Sequence, residues 1–516
     1  MTAINWKTGV NGSWDTPGGW GGGAVPTSGD AVTIAAAGTY IIQMANAESV
    51  SSLLMNAFGA EINDTSGQIF SVGTSMTVTA GTFAMSNGSQ ILETGGTLKE
   101  AANGVLLATG GNNQITAGTI TLAGRTQVVS GILGLNGGGT IGGMLTGAGT
   151  LELAAGTFAL GSAAVEASTL NLLVNGGTLS DAVTTGLAAP LQLIQSGTLS
   201  IAKGASFNLI GGLTVGQALL NDGGNALTGL GTLSTMGTTE INASTQPEFA
   251  LAGGLTWSNT GVINDDGSGG FAGGSKIVNA ANAHFNFTSD GTTLTSDGNA
   301  ANLFTNAGTI TKTSATNNSG SEIDATVNST GLIEIDAGTL TLGGGGSIAG
   351  TVSGVGTLLL NAGTFAIGAA SGSGHIVLGA GASIGFAATE LVATPFTFGN
   401  NVGVSVAAGA TATLSGGIAI GDATGGATIS GPGTLATTGT VTINDPGAVT
   451  VLQLRNGITW ANSGTVNDSG IGFIGTPGSS GADTCTVVNT GTFNFLGDDA
   501  GLGLYLASGG APATAF

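Results

Sequence analysis

Residues 149–160 read GTLELAAGTFAL and residues 354–367 read GVGTLLLNAGTFAI. In both stretches one apolar residue alternates with one small or polar residue, the period of two that marks a strand with one buried face. SMTVTAGTFAM (75–85) and GLIEIDAGTLTL (331–342) repeat the pattern. Gly, Asn, Asp and Ser separate the runs, where turns need left-handed backbone or side chains that mimic a backbone turn. The phrase G-T-[LIF] recurs as AGTF (80–83), GGTL (95–98), AGTI (117–120), GGTI (138–141), AGTF (155–158), GGTL (176–179) and SGTL (196–199). Gly118 to Gly139 and Gly156 to Gly177 each span 21 residues, and Gly177 to Gly197 spans 20. That spacing belongs to solenoids, whose units cannot bury an apolar face alone and gain a partner by stacking. The expected fold is therefore all-β, a parallel β-helix (β-solenoid) of short rungs of about 20 residues. A β-sandwich array also has short, closely spaced strands, but it carries larger aromatic cores and clearer linkers. Only NAESVSSLLMNAF (46–58) has a helical look, and its valine and serines leave it ambiguous.

A larger duplication lies above the small one. Residues 131–161 reappear at 338–368, with Gly156 matching Gly363. GGLTVG (211–216) returns as GGIAIG (416–421), and GGLTWSNTGVINDDG (253–267) as NGITWANSGTVNDSG (456–470). The expected organisation is an N-terminal cap with first strands (1–40), solenoid rungs (41–130), a first large repeat (131–337) and a shorter second one (338–516).

Composition narrows the function. Of 516 residues 98 are glycine and only 7 % are charged, unlike an ordinary cytosolic enzyme. Twenty-eight acids against seven bases leave a net charge of −21, which argues against nucleic acid as a partner because phosphate binding needs Lys and Arg. No run of eighteen apolar residues predicts a transmembrane helix, and the first residues lack the apolar core of a Sec-type signal. The single cysteine, Cys485, reads as a small buried hydrophobe.

Trp6, Trp14 and Trp20 crowd the first twenty residues, ahead of the first clean strand. The first rung of a solenoid would expose its core, so an atypical cap is expected there. The block WxxxxxGxWxxxxxWGGGxVPTSGDxVTIxxxGxY, ending at Tyr40, together with the GTL and AGTF rungs, resembles the long β-strand-repeat proteins of bacterial surfaces, the autotransporter-like and large-adhesin β-solenoids of Proteobacteria. The resemblance covers essentially the whole chain and implies a secreted or cell-surface rod that acts as adhesin, stalk or matrix and fibre component. It implies cell-surface or matrix polysaccharide, or self-association into fibres, as partner. The chain departs from the pattern in lacking both a charged C-terminal outer-membrane barrel and the RTX nonapeptide.

The alternative is a glycan-binding module, with Trp14, Trp20 and Tyr505 as an exposed aromatic platform. A polysaccharide-degrading enzyme on a β-helix is the weaker alternative. Hydrolysis needs two carboxylates roughly 5–9 Å apart, and Asp265/Asp266, Glu334/Asp336 and Asp498/Asp499 are the pairs available. The second copy reads Asn467-Asp468 opposite Asp265/Asp266, so on this reading only the second carboxylate recurs. Arg125 and Arg455 stand far apart in sequence, and neither His284 nor His375 has a partner at metal-ligand spacing. No catalytic residue is therefore assigned, and the chain is read as no enzyme. Calcium is the one cofactor worth carrying, on turn carboxylates of Asp222, Asp265, Asp266, Asp468, Asp498 and Asp499. Ice binding would need a flat threonine array, and no T-x-T recurs at one fixed rung position.

Overall fold

The computed structural model describes residues 2–515 apart from 66, 94, 162–168, 217–223, 243–247, 316–319, 369–371, 422–425, 445–450, 470–472, 476–483 and 497–513. The chain forms two compact units, Met1–Gly261 and Val262–Phe516, each built almost wholly of parallel β-structure. The expected β-solenoid is present. The three-residue turn Pro17–Gly19 is the one helical element among the described residues, and none of them forms a helix long and apolar enough to cross a membrane.

Beyond Thr109 a typical coil contributes three short strands, each paired with its counterpart one coil later. In the first unit Asn171–Asn175, Thr178–Asp181 and Thr185–Leu187 pair in parallel with Leu191–Ile194, Thr198–Ile201 and Ser206–Leu209. In the second, Leu332–Ile335, Thr339–Leu342 and Gly346–Ile348 pair with Thr351–Ser353, Thr357–Leu360 and Thr364–Ile367. The register advances by 18 residues from Thr357 to His375 and by 28 from Thr198 to Ala226. In these coils length thus varies in the loops while the strands stay short.

The alternation works as the sequence implies. In Thr-Leu-x-Leu the second and fourth residues point inward and the first and third outward. Leu179, Leu199, Leu227 and Leu251 stack as one fully buried column of the first unit. Leu340, Leu358, Ile376, Phe396 and Ile418 do the same in the second. Each such side chain contributes about 1.5–3 kcal/mol by leaving water.

The stretch with a helical look is a strand. Glu48–Asp64 runs seventeen residues around a corner, pairing with Asp30–Ile34 through its first part and with Tyr40–Met44 through its second. Its buried positions Val50, Leu53 and Met55 meet the interior of neighbouring coils, so tertiary pairing overrides a mixed local preference.

Other corners are made by the sequence G-x-G. At Gly147, Gly229, Gly354, Gly372 and Gly431 φ lies between 96° and 124°. A Cβ at Gly354 would collide with the carbonyl oxygen of Ile335 in the coil below, and the N–H of Gly356 donates to that same oxygen at 2.8 Å. Gly229 and Gly231 treat the Ile201 carbonyl identically. Only glycine supplies both the conformation and the close approach. The middle residue alone protrudes, as Leu230 and Val355 do.

Candidate functional site

The three N-terminal tryptophans close the first coil. Trp6, Trp14 and Trp20 are 3 %, 0 % and 0 % exposed. Trp20 meets Trp6 and Trp14 edge-on at 4.8 and 4.7 Å between ring centroids, and Trp14 continues the stack to Phe70 at 5.6 Å. The Trp20 indole N–H donates to the Trp14 carbonyl at 2.6 Å. The chain folds back against the end of strand Thr2–Asn5, where Gly21 N donates to Asn5 O, and Lys7 N just beyond donates to Gly19 O. Asp30 fixes the following turn by accepting from Thr27 N at 2.9 Å and from its hydroxyl at 2.8 Å, and these bonds hold its carboxyl below the usual range. The exposed aromatic platform is corrected for Trp14 and Trp20, which are buried in this stack and present no face to a sugar. Tyr505 lies outside the described residues.

The carboxylates expected to act together are dispersed. Asp265 ends strand Val262–Asp265 with its side chain inward and buried, and its Oδ1 accepts from Gly267 N at 3.2 Å. Asp266 is exposed, so the neighbouring acids sit on opposite sides of the wall. Asp468 ends strand Thr465–Asp468 in the same buried position, so it matches Asp265 and not Asp266; the first carboxylate recurs, and Ser469 replaces the second. Glu334 points outward from strand Leu332–Ile335 and Asp336 is exposed just beyond it. Asp222, Asp498 and Asp499 lie outside the described residues. Among the described residues no three His, Cys, Asp or Glu side chains gather as a metal site would require. Arg125 is exposed, whereas Arg455 is held by Gln453 Oε1 through Nε at 3.0 Å and Nη2 at 2.6 Å. His375 Nε2 shares a 2.8 Å hydrogen bond with the Thr397 hydroxyl, and His284 is exposed.

Other acids matter more than those singled out by sequence. Glu100 is fully buried where strand Thr97–Thr109 rounds a corner. Its Oε1 accepts from Leu106 N at 3.0 Å, and its Oε2 from Gly124 N at 3.3 Å and the Thr126 hydroxyl at 3.2 Å. The carboxyl thus replaces backbone pairing that the corner interrupts, while burial pushes it up to about 7. Burial also pushes Glu93 up to about 7. At the cap, burial and then contact with the Asp15 carboxyl push Glu48 up to about 8. Glu322 is raised by burial and by Asp324 beside it. In the second unit Lys312 Nζ donates to Asp290 Oδ1 at 2.6 Å, to Ser289 O at 3.2 Å and to Ser314 O, with both charged side chains almost wholly buried.

The parallel register does assemble one extended surface feature. On a single face of the first unit Thr157, Thr178 and Thr198 stack in one outward column. Two residues along each strand a second column runs Thr77, Lys99, Thr121, Thr140, Ala159, Ser180, Ser200 and Thr228. Ser75-x-Thr77, Thr119-x-Thr121, Thr178-x-Ser180 and Thr198-x-Ser200 therefore share one strand position as mixed Ser/Thr pairs, of which Thr119-x-Thr121 alone is T-x-T. Neighbouring hydroxyls are about 4.8 Å apart between coils and about 6.7 Å apart along a strand. The exposed Lys99 interrupts the array. Sequence spacing alone hid this face because coil lengths vary and only the register aligns the strands.

Comparison of the chain with family models, curated proteins and solved structures gave no match.

Proposed function

We propose that the chain is a non-catalytic component of a bacterial surface or secreted matrix, acting as an adhesin or stalk toward polysaccharide. The observation that supports this most is the double column of outward, mostly hydroxyl-bearing residues from Thr77 to Thr228, broken at Lys99 and Ala159. A fixed grid of short donors and acceptors meets a repeating polyhydroxyl chain at many points, each weak, with little side-chain entropy to lose. Lys99 stands out of that grid, which suits a chain with anionic groups better than a crystalline ice plane. With Trp14 and Trp20 buried, glycan recognition would use hydroxyl rows in place of aromatic stacking.

The test is adsorption of the labelled chain to producer cells and to a panel of neutral and acidic polysaccharides, with calcium and with chelator. Saturable binding that falls when Thr121→Lys and Ser180→Lys are introduced together supports the reading. Binding that survives both substitutions would move the adhesive surface elsewhere, and no binding to any surface would leave a passive stalk. A loss confined to chelator would place calcium in the scaffold or the site.

A further inference from the structure

Six Asn-Gly dipeptides occur in the chain, at Asn11, Asn87, Asn103, Asn136, Asn175 and Asn456. Such a pair can close on itself when the glycine nitrogen reaches the asparagine side-chain carbon, provided that nitrogen is free of a hydrogen bond and the side chain can swing. Five of the six are restrained. The Asn11 side-chain Oδ1 accepts from Ile41 N at 2.8 Å. Gly88 N donates to Asn113 Oδ1 at 3.2 Å. Asn103 and Gly104 lie inside a strand, in register with Ala80 and Gly81. Gly137 N donates to Ala155 O at 3.3 Å while Asn136 is tied to Gln114 at 2.8 Å. Gly176 N donates to Ile194 O at 3.2 Å while Asn175 is tied to Glu152 at 2.6 Å.

Asn456 differs. It is exposed, in left-handed backbone at φ 58°, in a two-residue turn closed by Ile458 N to Arg455 O at 3.4 Å. Among the described residues neither its side chain nor the Gly457 N–H has a hydrogen-bond partner. The first copy builds the same turn from Gly253 and Gly254, closed by Leu255 N to Ala252 O at 3.4 Å.

We infer that Asn456–Gly457 is a site of spontaneous deamidation, selected by the fold from six chemically equal dipeptides. The Gly457 nitrogen loses its proton and bonds to Asn456 Cγ. The bond from Cγ to Nδ2 breaks, and the amide leaves as ammonia. Solvent water then opens the cyclic imide: attack at Cγ gives aspartate, and attack at the backbone carbonyl gives isoaspartate. Either product adds a negative charge to the turn, and isoaspartate also inserts a methylene into the backbone leading to strand Thr459–Asn462, which carries buried Trp460.

The full chain is aged at mildly alkaline pH, folded and in urea, and its peptides are mapped by mass spectrometry with isoaspartate resolved by chromatography. In the folded chain acid should accumulate at 456 at least about tenfold faster than at any other of the six, the factor one intact hydrogen bond supplies. In urea the six should react at comparable rates. Asn456→Gly, the residue of the first copy, should abolish the product and leave the other five unchanged. Equal rates at all six in the folded chain would overturn the assignment. So would protection of Asn456 in the folded chain with reaction in urea.

Discussion

The indole N–H of Trp460 donates to the hydroxyl of Thr437 one coil below at 3.1 Å, and that hydroxyl donates to Asn462 Oδ1 at 3.0 Å. Trp257 and Thr235 make the same contact at 3.0 Å in the first unit. The chain closes behind both: Gly464 N donates to Asn462 Oδ1, and Gly261 N to Asn259 Oδ1. Two copies separated by about two hundred residues thus keep one buried polar corner, with the paired tryptophans packed inside the wall.

Thr437→Val keeps the shape but orphans the indole N–H in the interior. An unmade buried bond costs about 1–3 kcal/mol. Trp460→Phe in addition removes the orphan, so the double variant should lose less than the sum of the singles. Chemical denaturation of the four chains checks the coupling; strict additivity would mean that the bond carries no weight.

The G-x-G corners predict a sharp contrast between adjacent positions. Gly354→Ala forces a Cβ against the Ile335 carbonyl at a φ of 96°, and the left-handed backbone alone costs about 1–2 kcal/mol. Val355→Ala next to it removes a side chain that is 92 % exposed and should change stability by less than about 0.5 kcal/mol. Equal melting shifts for the two would contradict the corner geometry.

How far the sequence reached depends on parity. Leu340 and Leu342 announce an inward face because Thr339, Thr341 and Gly343 around them are small or polar, and the register honours it. The same parity places Glu100 with Leu98, and Asp265 with Ile263, on the inside. In the sequence that parity competes with the general preference of acids for solvent, which masks it. The Lys312–Asp290 pair had no sequence signature, since it joins a strand end to a loop from the preceding coil. The outward hydroxyl columns were hidden for a different reason, as loops of unequal length spoil any fixed spacing between Thr121, Thr140 and Ser180.

Lys312 replaces an apolar residue in a column that otherwise holds Phe287 below and Ile335 above. Lys312→Met alone should be costly, about 3–5 kcal/mol, because it strands a buried carboxylate. Lys312→Met with Asp290→Leu removes both charges and should recover most of that loss. Differential scanning calorimetry would distinguish the two; a double variant as unstable as the single would show that the Lys312 bonds to Ser289 and Ser314 carry the site.

Stability of the first unit should fall as pH rises. Glu93 and Glu100 are both raised from 4.5 to about 7, chiefly by burial. A carboxyl raised on folding binds its proton more tightly in the native state, so its contribution is complete below pH 4.5 and is lost as pH climbs through 7. For Glu100 the loss between these limits is on the order of 1–3 kcal/mol. Glu48, half-buried beside Asp15 and raised to about 8, extends the same trend upward. Glu100→Gln cannot ionise and retains an oxygen for Leu106 N, so its denaturation midpoint should be flatter between pH 5 and 8 than that of the parent chain. A parent midpoint that rises over this interval would reverse the sign and require these carboxyls to be ionised within the wall.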